Sequence, residues 1–352
     1  MPISIVVGGQ FGSEGKGKVA LELARRAKEP VTVVRVGGPN SGHTGYDYRG
    51  KKWALRQMPA SCVDRNVDVV FPAGSYIDVE VFLKEIEVLR YPKERLVISP
   101  YARIITEQHK AWEREAGLVG SIGSTGSGVG GAVMASVARG AQNLGMTSPD
   151  AAHYEPLAPF VRDASEHLRR KLDVGERVIV EGTQGFGLSL LDGGYWPKAT
   201  SRATTAAAAL AETGLSPLDV DDVTMVIRSY PIRVAGESGP LLGETTWKSI
   251  GAEIDDDSDL TEYTTVTNKI RRVGKFDPEL VRKALIANSP TNLVLNHLDY
   301  VGNQETLTRS DSRLSQFITY VEGNIGRSID WYGFSPLGIV DASLNEHRNA
   351  FL

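Results

Sequence analysis

The chain has 352 residues, of which 41% are hydrophobic and 23% charged, as in an ordinary globular protein. Its formal net charge is −4, so we expect no bulk electrostatic attraction to nucleic acid or to an anionic membrane. Cys62 is the single cysteine, which excludes an intramolecular disulfide and a zinc site made of cysteines. With no signal peptide and no membrane-length apolar run, we expect a cytoplasmic protein.

Short apolar runs that end in glycine alternate with stretches of helical spacing. Residues 3–7 and 31–36 predict strands, and residues 16–28 between them predict a helix. This βαβ unit predicts an α/β fold with a mostly parallel central sheet and flanking helices, in one domain over residues 1–352. The other predicted strands are 67–71, 96–98, 178–180, 225–227 and 293–295, and the other predicted helices are 132–144, 157–172 and 278–286. The acidic run 253–259 is predicted to be a mobile surface loop.

The first glycine-rich loop, residues 8–18, follows a predicted strand and opens a helix. Its glycines let backbone N–H groups face a phosphate, the helix N-terminus adds positive potential, and Lys16 adds a charge. Residues 12–18 match the G-x-x-x-x-G-K pattern of a P-loop. However, Val19 stands where a P-loop has the Ser or Thr that binds magnesium. The segment therefore predicts a phosphate-binding loop that differs from a standard P-loop.

Two more glycine-rich segments point to the same chemistry. Residues 37–44 follow a strand and hold His43 among small polar residues, which predicts contact with a phosphate or a catalytic role. Residues 123–130 lead into a helix, as anion-binding loops do. On its own, this last segment is equally compatible with a flexible loop.

Three polar segments complete the pattern. Residues 181–185 follow a strand, and residues 198–201 lie downstream of them. Residues 264–272 alternate hydroxyls with cations, which suit a carboxylate or a phosphate. Residues 296–299 resemble the N-K-x-D element by which GTPases bind guanine. Because ligands bind at the carboxyl ends of parallel strands, these segments predict a nucleotide site at that edge of the sheet.

In this order, the segments resemble the adenylosuccinate synthetase family. That family opens with a strand and Q-W-G-D-E-G-K-G-K, then N-A-G-H-T, T-T-G-R-G-I-G-P, E-G-A-Q-G, an arginine-rich aspartate loop and K-L-D. The resemblance runs from residue 3 to about residue 302. It implies a C–N ligase that transfers the γ-phosphate of a nucleoside triphosphate to O6 of a purine nucleotide. The amino group of L-aspartate then displaces that phosphate from C6, and Mg²⁺ with careful positioning supports the phosphoryl transfer.

The resemblance also implies the site residues. The catalytic residues would be Ser13, His43 and Lys16, with His43 acting as an acid, and Mg²⁺ would be bound by Ser13 and the carbonyl of Gly42. The donor triphosphate would contact Gly12, Ser13, Glu14, Gly15, Lys16, Gly17, Gly42, His43, Thr44, Arg271, Asn296, Asp299 and Ser335. The monophosphate would contact Ser13, Asn40, Ser124, Thr125, Arg139, Gln184, Thr200 and Lys269. L-Aspartate would contact Val266, Thr267, Lys269 and Arg271. Arg139 matches an arginine that reaches the neighbouring subunit, which implies a homodimer.

Ser13 is the most informative departure from the family. The family has aspartate there, and that carboxylate takes the proton from N1 of the 6-oxopurine and binds Mg²⁺. A serine hydroxyl is not ionised near pH 7 and cannot act as a resting base. Three interpretations follow: a weakened synthetase, a site in which another carboxylate such as Glu14 takes over, or a changed substrate. The neutral serine suits a purine that carries a 2-amino group.

Serine at this position resembles viral relatives that make 2-aminoadenylosuccinate from dGMP, for genomes in which 2-aminoadenine replaces adenine. Those relatives accept ATP or dATP as donor. Lys269 replaces an arginine near the ribose 2′-hydroxyl, and His297 replaces the lysine of K-L-D, which argues against strict use of GTP. We therefore predict a ligase for L-aspartate and dGMP that acts in the host cytoplasm, if viral. The alternatives are an adenylosuccinate synthetase that uses IMP with GTP and, more distantly, a non-catalytic nucleotide-binding switch.

Overall fold

A mostly parallel β-sheet carries the fold. The computed structural model describes residues 2–141, 145–254, 259–264, 268–307, 309 and 311–343. In these ranges the strands are β1 (Ile3–Gly8), β2 (Val31–Arg35), β3 (His43–Tyr46), β4 (Lys52–Leu55), β5 (Asp68–Phe71), β6 (Tyr76–Ile77), β7 (Leu96–Ile98), β8 (Arg103–Ile104), β9 (Arg177–Glu181), β10 (Val220–Arg228), β11 (Ile232–Arg233), β12 (Arg272–Val273), β13 (Asn292–Asn296), β14 (Trp331–Ser335) and β15 (Gly338–Asp341). The helices are α1 (Lys16–Arg26), α2 (Val79–Leu89), α3 (Glu107–Glu115), α4 (Leu118–Ser121), α5 (Val129–Val137), α6 (Ala164–Asp173), α7 (Ala206–Ala211), α8 (Trp247–Glu253), α9 (Pro278–Asn288) and α10 (Arg313–Ile325).

The central sheet has nine strands in the order β15-β14-β13-β10-β1-β9-β2-β5-β7. Neighbouring strands are parallel except for the β14–β15 pair at one edge. Strands β1 and β2 are buried along their whole length, because helices cover both faces of a parallel sheet. This architecture confirms the predicted α/β fold class.

The core is divided by the sheet into two layers. Ile5 and Val7 of β1 pack in one apolar cluster, whereas Val6 between them packs in the other, as the alternation of side chains along a strand requires. Helix α9 packs Leu280 and Val281 into the first cluster. Within the described ranges, no helix combines the length and the apolar character needed to span a membrane.

All seven strands that the sequence predicted are present, but one predicted helix is wrong. Residues 157–172 form a 3-10 segment, Glu155–Phe160, followed by α6. Pro159 lacks an N–H and disfavours a continuous helix, and Val161 instead forms a parallel bridge with Ile98. Asp163 then caps α6 by accepting a hydrogen bond from the Glu166 amide at 2.8 Å.

Other boundaries differ at the helix ends. The helix predicted at 16–28 ends at Arg26, and the one predicted at 132–144 is α5, Val129–Val137. Residues 142–144 lie outside the described part of the chain, as do residues 255–258 of the acidic run predicted to be mobile. The sequence analysis did not predict the β3–β4 hairpin or the edge strands β14 and β15, which are short and mix polar with apolar residues.

Helix α9 offers a matched test of the packing. Leu280→Ala should lower the free energy of unfolding by about 2–5 kcal/mol, because this side chain is 2% exposed in the core. Ile286→Ala on the same helix should change it by less than about 0.5 kcal/mol, because Ile286 is 83% exposed. Urea denaturation of both variants measures the difference. Equal losses would contradict the orientation of α9.

Candidate active site

The candidate site lies where the central strands end. Strands β10, β1, β9 and β2 are adjacent and parallel, so the loops that follow them meet at one edge of the sheet. β13 adds the 296–299 segment beside β10. The predicted phosphate loop, the His43 loop, the Gln184 loop and the Asn296 segment are thereby brought to the same edge.

The first loop is organised around a buried carboxylate. Glu14 is completely buried, and its carboxylate accepts hydrogen bonds from the amides of Gln10 at 3.1 Å and Gly12 at 2.7 Å. It also accepts from Lys16 Nζ at 2.8 Å. Gly12, Ser13 and Gly15 adopt the left-handed conformation, with φ of 91°, 56° and 95°. The Glu14 carboxylate therefore holds its own loop, which does not fit the interpretation that Glu14 replaces the missing aspartate as a base.

The predicted donor-nucleotide residues join this loop from β13 and β14. Asn296 is completely buried and donates from Nδ2 to the Glu14 carbonyl at 2.8 Å. Lys18, on the first turn of α1, donates from Nζ to the Ser335 carbonyl at 2.9 Å. Asp299 is exposed beside them, and Lys18 is one of the charged groups that act on it. The donor segment predicted from N-H-L-D thus lies against the phosphate loop.

His43 is the best-defined catalytic candidate. It is 5% exposed, its Nδ1 bonds to the Glu181 carboxylate, and its Nε2 lies 3.3 Å from Ser41 Oγ. We assign the ring proton to Nδ1, because a carboxylate can only accept. Burial, followed by the nearby Arg35 cation, lowers the pKa of His43 to about 4. At neutral pH the ring is therefore neutral and offers Nε2 as an acceptor.

The sequence analysis gave no role to Glu181, which begins its 181–185 segment, and it missed Arg35. Glu181 is completely buried and also accepts from the Ala60 amide at 3.1 Å and from Ser61 Oγ at 3.0 Å. Arg35 donates to the Ser41 carbonyl at 3.1 Å and so fixes the loop that carries Gly42 and His43. The available signal was a charged residue at the carboxyl end of an apolar strand, a position that Arg35, Glu181 and Arg228 share.

One glycine of the first helix is required by close packing. A Cβ at Gly17 would lie 2.7 Å from Ala60 Cβ and 3.0 Å from His43 Cβ. Real Cβ atoms do not approach so closely, so only glycine lets α1 pack against the strand that carries His43 and Thr44. This contact brings the phosphate loop and the histidine together.

The predicted monophosphate residues lie in several segments. Lys198 Nζ donates to the carbonyl of Ser121, the last residue of α4, just before the glycine loop that carries Ser124 and Thr125. Ser124 Oγ lies 3.4 Å from Glu113 Oε2, and Thr125 Oγ1 lies 2.8 Å from Ser127 Oγ. Gln184 has a φ of 57° and lies against Gly12 of the first loop. Asn40 is half-buried in the loop that leads to His43.

Four predicted site residues lie in exposed or undescribed segments, so their place in the site stays a prediction. Arg139 is exposed just after α5, and Lys269 is exposed in its loop. Val266 and Thr267 lie outside the described residues. Arg271 is half-buried and bonds to Glu262, a residue that the sequence analysis also missed.

The combination of a parallel sheet, a lysine-bearing glycine loop at a helix N-terminus and a buried His–Glu pair defines a class. This class comprises the α/β enzymes that bind nucleotides and act on phosphoryl groups at the carboxyl edge of the sheet. Residues 5–150 and 147–309 match the family model described as adenylosuccinate synthetase. The chain belongs to the adenylosuccinate synthetase family, and it is a ligase of that type.

Individual relatives agree with this assignment. Adenylosuccinate synthetase of Pyrococcus sp. (strain ST700) is 39% identical over 334 residues, which are 93% of this chain and 94% of the relative. That of Methanocaldococcus jannaschii is 40% identical over 300 residues, 84% and 82% of the two chains.

Two solved structures resemble the fold closely. Succinoaminodeoxyadenylate synthetase (PurZ) of cyanophage S-2L, bound to dGMP and to dATP as an energy donor, has a TM-score of 0.79 and 26% identity, covering 97% of this chain and 95% of that one. Fully ligated adenylosuccinate synthetase of Plasmodium falciparum has a TM-score of 0.80 and 20% identity, covering 97% and 100%.

The neutral buried histidine predicts a pH-dependent stability. As pH falls from about 6.5 to about 4, unfolded His43 takes up a proton and folded His43 does not, so its contribution to stability is complete above pH 6.5 and is lost on acidification. The contribution reaches a slope of about 1.4 kcal/mol per pH unit inside this window. Urea unfolding between pH 7 and pH 4 should therefore show a shallower decline for His43→Asn than for the unaltered chain. Parallel declines would contradict a neutral His43.

Proposed function

We propose that this ligase joins L-aspartate to C6 of dGMP, with ATP or dATP as phosphoryl donor. The product would be N6-succino-2-amino-2′-deoxyadenylate, a precursor for DNA that contains 2-aminoadenine. The observation that carries the proposal is the neutral Ser13 in a loop whose neighbouring carboxylate, Glu14, is turned inward and saturated by hydrogen bonds. A purine with a 2-amino group then meets a small hydroxyl that can accept from it.

The comparison with the S-2L enzyme supports the same proposal, since that protein was solved with dGMP and dATP. Lys269 and His297 add support, because they depart from the family at positions that face the ribose and the donor base by resemblance. Asp299 does not discriminate between donors, because it can accept hydrogen bonds from N1–H and N2 of guanine or from N6 of adenine. The departure that argues against strict use of GTP is His297.

The second candidate is synthesis of adenylosuccinate from IMP with GTP. The sequence identities favour it, because the archaeal relatives named adenylosuccinate synthetase are 36–40% identical, against 26% for the S-2L enzyme. Whole-chain identity reports mainly the shared fold and shared chemistry, however, and substrate choice depends on a few side chains. For that reason we give Ser13 more weight.

The family implies Mg²⁺ and a nucleoside triphosphate. The Ser13 hydroxyl and the Gly42 carbonyl are oxygen donors, the type that Mg²⁺ prefers, and Mg²⁺ commonly completes its shell with water and substrate phosphates. Two protein oxygens beside the phosphate loop therefore fit this ion. Its chemistry would be to neutralise charge on the phosphates during transfer.

The reaction would proceed in two steps that use residues of the phosphate loop and of the His43 loop. Lys16 and the loop amides would hold the triphosphate while the O6–phosphorus bond forms and the γ-phosphorus–oxygen bond of the donor breaks. The aspartate amine would then attack C6, and the C6–O6 bond would break with loss of phosphate. His43 is neutral before substrate binds, but an anionic phosphate at Nε2 raises the pKa of the ring and lets it donate a proton. Glu181 would orient that ring throughout.

The remaining substrates would occupy the neighbouring segments. The donor base would contact Asn296, Asp299 and Ser335, and the monophosphate nucleotide would contact Asn40, Ser124, Thr125, Gln184, Thr200 and Lys269. L-Aspartate would be held by Val266, Thr267, Lys269 and Arg271. A second subunit would supply Arg139 to the monophosphate site.

A panel of monophosphates tests the proposal directly. Purified enzyme is incubated with L-aspartate, Mg²⁺ and either dGMP, GMP, dIMP or IMP, each with ATP, dATP or GTP, and products are identified by mass. We expect the highest kcat/KM for dGMP with ATP or dATP. A higher kcat/KM for IMP with GTP would replace the proposal by the second candidate, and nucleotide binding without turnover of any pair would contradict both.

Ser13→Asp should move the preference from dGMP towards IMP. A carboxylate would restore a base for N1, which helps any 6-oxopurine, but it would also fill space beside the 2-amino group of guanine. Loss of room for one substrate group changes selectivity by about 10–200-fold. The measurement is kcat/KM for both monophosphates in both enzymes. An increased preference for dGMP in the variant would remove Ser13 as the selectivity element.

The proposed homodimer predicts complementation between two defective chains. Arg139→Ala should weaken monophosphate binding, and Lys16→Ala should abolish phosphoryl transfer. Mixed dimers should regain part of the activity, because one of their two sites would combine an intact Lys16 with an intact Arg139 from the other subunit. Verified mixed dimers without recovered activity would indicate that each chain builds its own site.

A further inference from the structure

Glu262 lies at the centre of a partly buried network at the edge of the candidate site. Its carboxylate accepts from both terminal nitrogens of Arg228, the Nη1 contact being 3.3 Å. It also accepts from Arg271 Nη1 at 2.7 Å and from the Tyr300 hydroxyl at 3.0 Å. Arg228 ends β10 and donates in addition to the Ser13 carbonyl at 3.0 Å. The Glu262 carboxylate is thus connected to the first loop through Arg228, and it also binds the segments that carry Arg271 and Tyr300.

The charge on Glu262 is fixed by its surroundings. Burial raises the pKa of this carboxyl, but the charges of Arg228, His297 and Arg271 and the hydrogen bond from Arg228 together outweigh burial and hold the pKa well below its usual range. Arg228 itself is 0% exposed, so it needs a charged partner that remains in place. Glu262 is therefore an ionised carboxylate that is paired with Arg228.

Arg271 is held by this carboxylate along only one part of its guanidinium. Nη1 donates to Glu262, and the Arg271 amide donates to the Glu262 carbonyl at 2.9 Å. The Nε atom is buried and has no hydrogen-bond partner among the described residues. An unpaired buried N–H is unfavourable, and the Nε–Nη2 edge of arginine matches a carboxylate in two parallel bonds. The Nε–Nη2 edge of Arg271 is therefore open to hydrogen bonds with a carboxylate ligand.

We propose that Glu262 is a positioning residue for L-aspartate: it fixes Arg271 through Nη1 and leaves the Nε–Nη2 edge for a carboxylate of the substrate. This inference rests on the proposed place of Arg271 in the aspartate subsite. The opposite arrangement would be a Glu262 that occupies the substrate's own place. The two arrangements predict opposite effects of removing Glu262 on aspartate binding. Loss of a positioning residue weakens the binding, whereas loss of a competitor strengthens it.

Glu262→Gln tests the proposal by steady-state kinetics with whichever monophosphate and triphosphate the enzyme turns over best. We expect the KM for L-aspartate to rise about 10-fold or more, with kcat lowered by less than about threefold and the KM of the monophosphate unchanged. A general structural defect would instead lower kcat without a selective rise in the KM for L-aspartate. An unchanged or lower KM for L-aspartate would overturn the proposal.

A neighbouring ion pair provides the control. Arg272 bonds to Glu244 through Nε at 2.7 Å and Nη2 at 2.6 Å, and this pair is partly exposed to solvent. Glu244→Gln makes the same chemical change at the partner of Arg272, the residue after Arg271, and should leave the KM for L-aspartate within about twofold of the unaltered enzyme, since exposed pairs contribute little. An equal rise in both variants would mean that the effect is not specific to Glu262.

Two further variants keep the result interpretable. Glu262→Gln leaves Arg228 buried without a counter-charge, so Arg228→Met/Glu262→Gln is measured as well, and its KM for L-aspartate should also be raised because Arg271 remains unheld. Arg271→Leu tests the subsite itself. A raised KM in Arg271→Leu with an unchanged KM in the folded Glu262 variants would contradict only the positioning role. An unchanged KM in Arg271→Leu would contradict the assignment of the aspartate subsite and the inference with it.

Discussion

Buried charge at the carboxyl ends of the central strands is the constraint on which the candidate site depends. Arg35 ends β2, Glu181 ends β9 and Arg228 ends β10, and none of the three is more than 2% exposed. An ionised group without a partner in such a place is strongly unfavourable, so each must be paired. The partners come from the loops that follow the strands, and pairing fixes where those loops lie.

The same pairing gives the site its electrostatic character. Glu181 holds the His43 ring in one orientation, and burial together with the Arg35 cation keeps the ring neutral. The Glu14 carboxylate holds the first loop by accepting hydrogen bonds from the amides of Gln10 and Gly12. Donors and acceptors fixed before substrate arrives need no reorganisation during the reaction, which is the main source of electrostatic stabilisation in enzymes. Such networks contribute little net stability, because desolvation offsets much of the attraction. Their effect is geometric.

Substrate choice is a separate and more local matter. The sheet, the phosphate loop and the His–Glu pair serve any 6-oxopurine that accepts a phosphoryl group at O6, whereas the side chain at position 13 meets the part of the purine that distinguishes guanine from hypoxanthine in our proposal. This separation explains how whole-chain identity and a single site residue can favour different substrates. Glu262 has a different kind of role in our inference, because it contacts no reacting atom and acts through Arg271.

The sequence by itself determined the strands, the phosphate loop and the family, because apolar runs that end in glycine and ordered motifs are local signals that the next few residues complete. It placed Ser13, Lys16 and His43 on loops that the sheet order then brought to one edge. The tertiary structure alone decided that Glu14 faces inward, that Glu181 orients His43, and that Arg228 and Arg271 share Glu262. These contacts join residues as many as 138 positions apart, and no local pattern encodes them. Only the packing of parallel strands, which sets their ends side by side, determines which buried charge meets which.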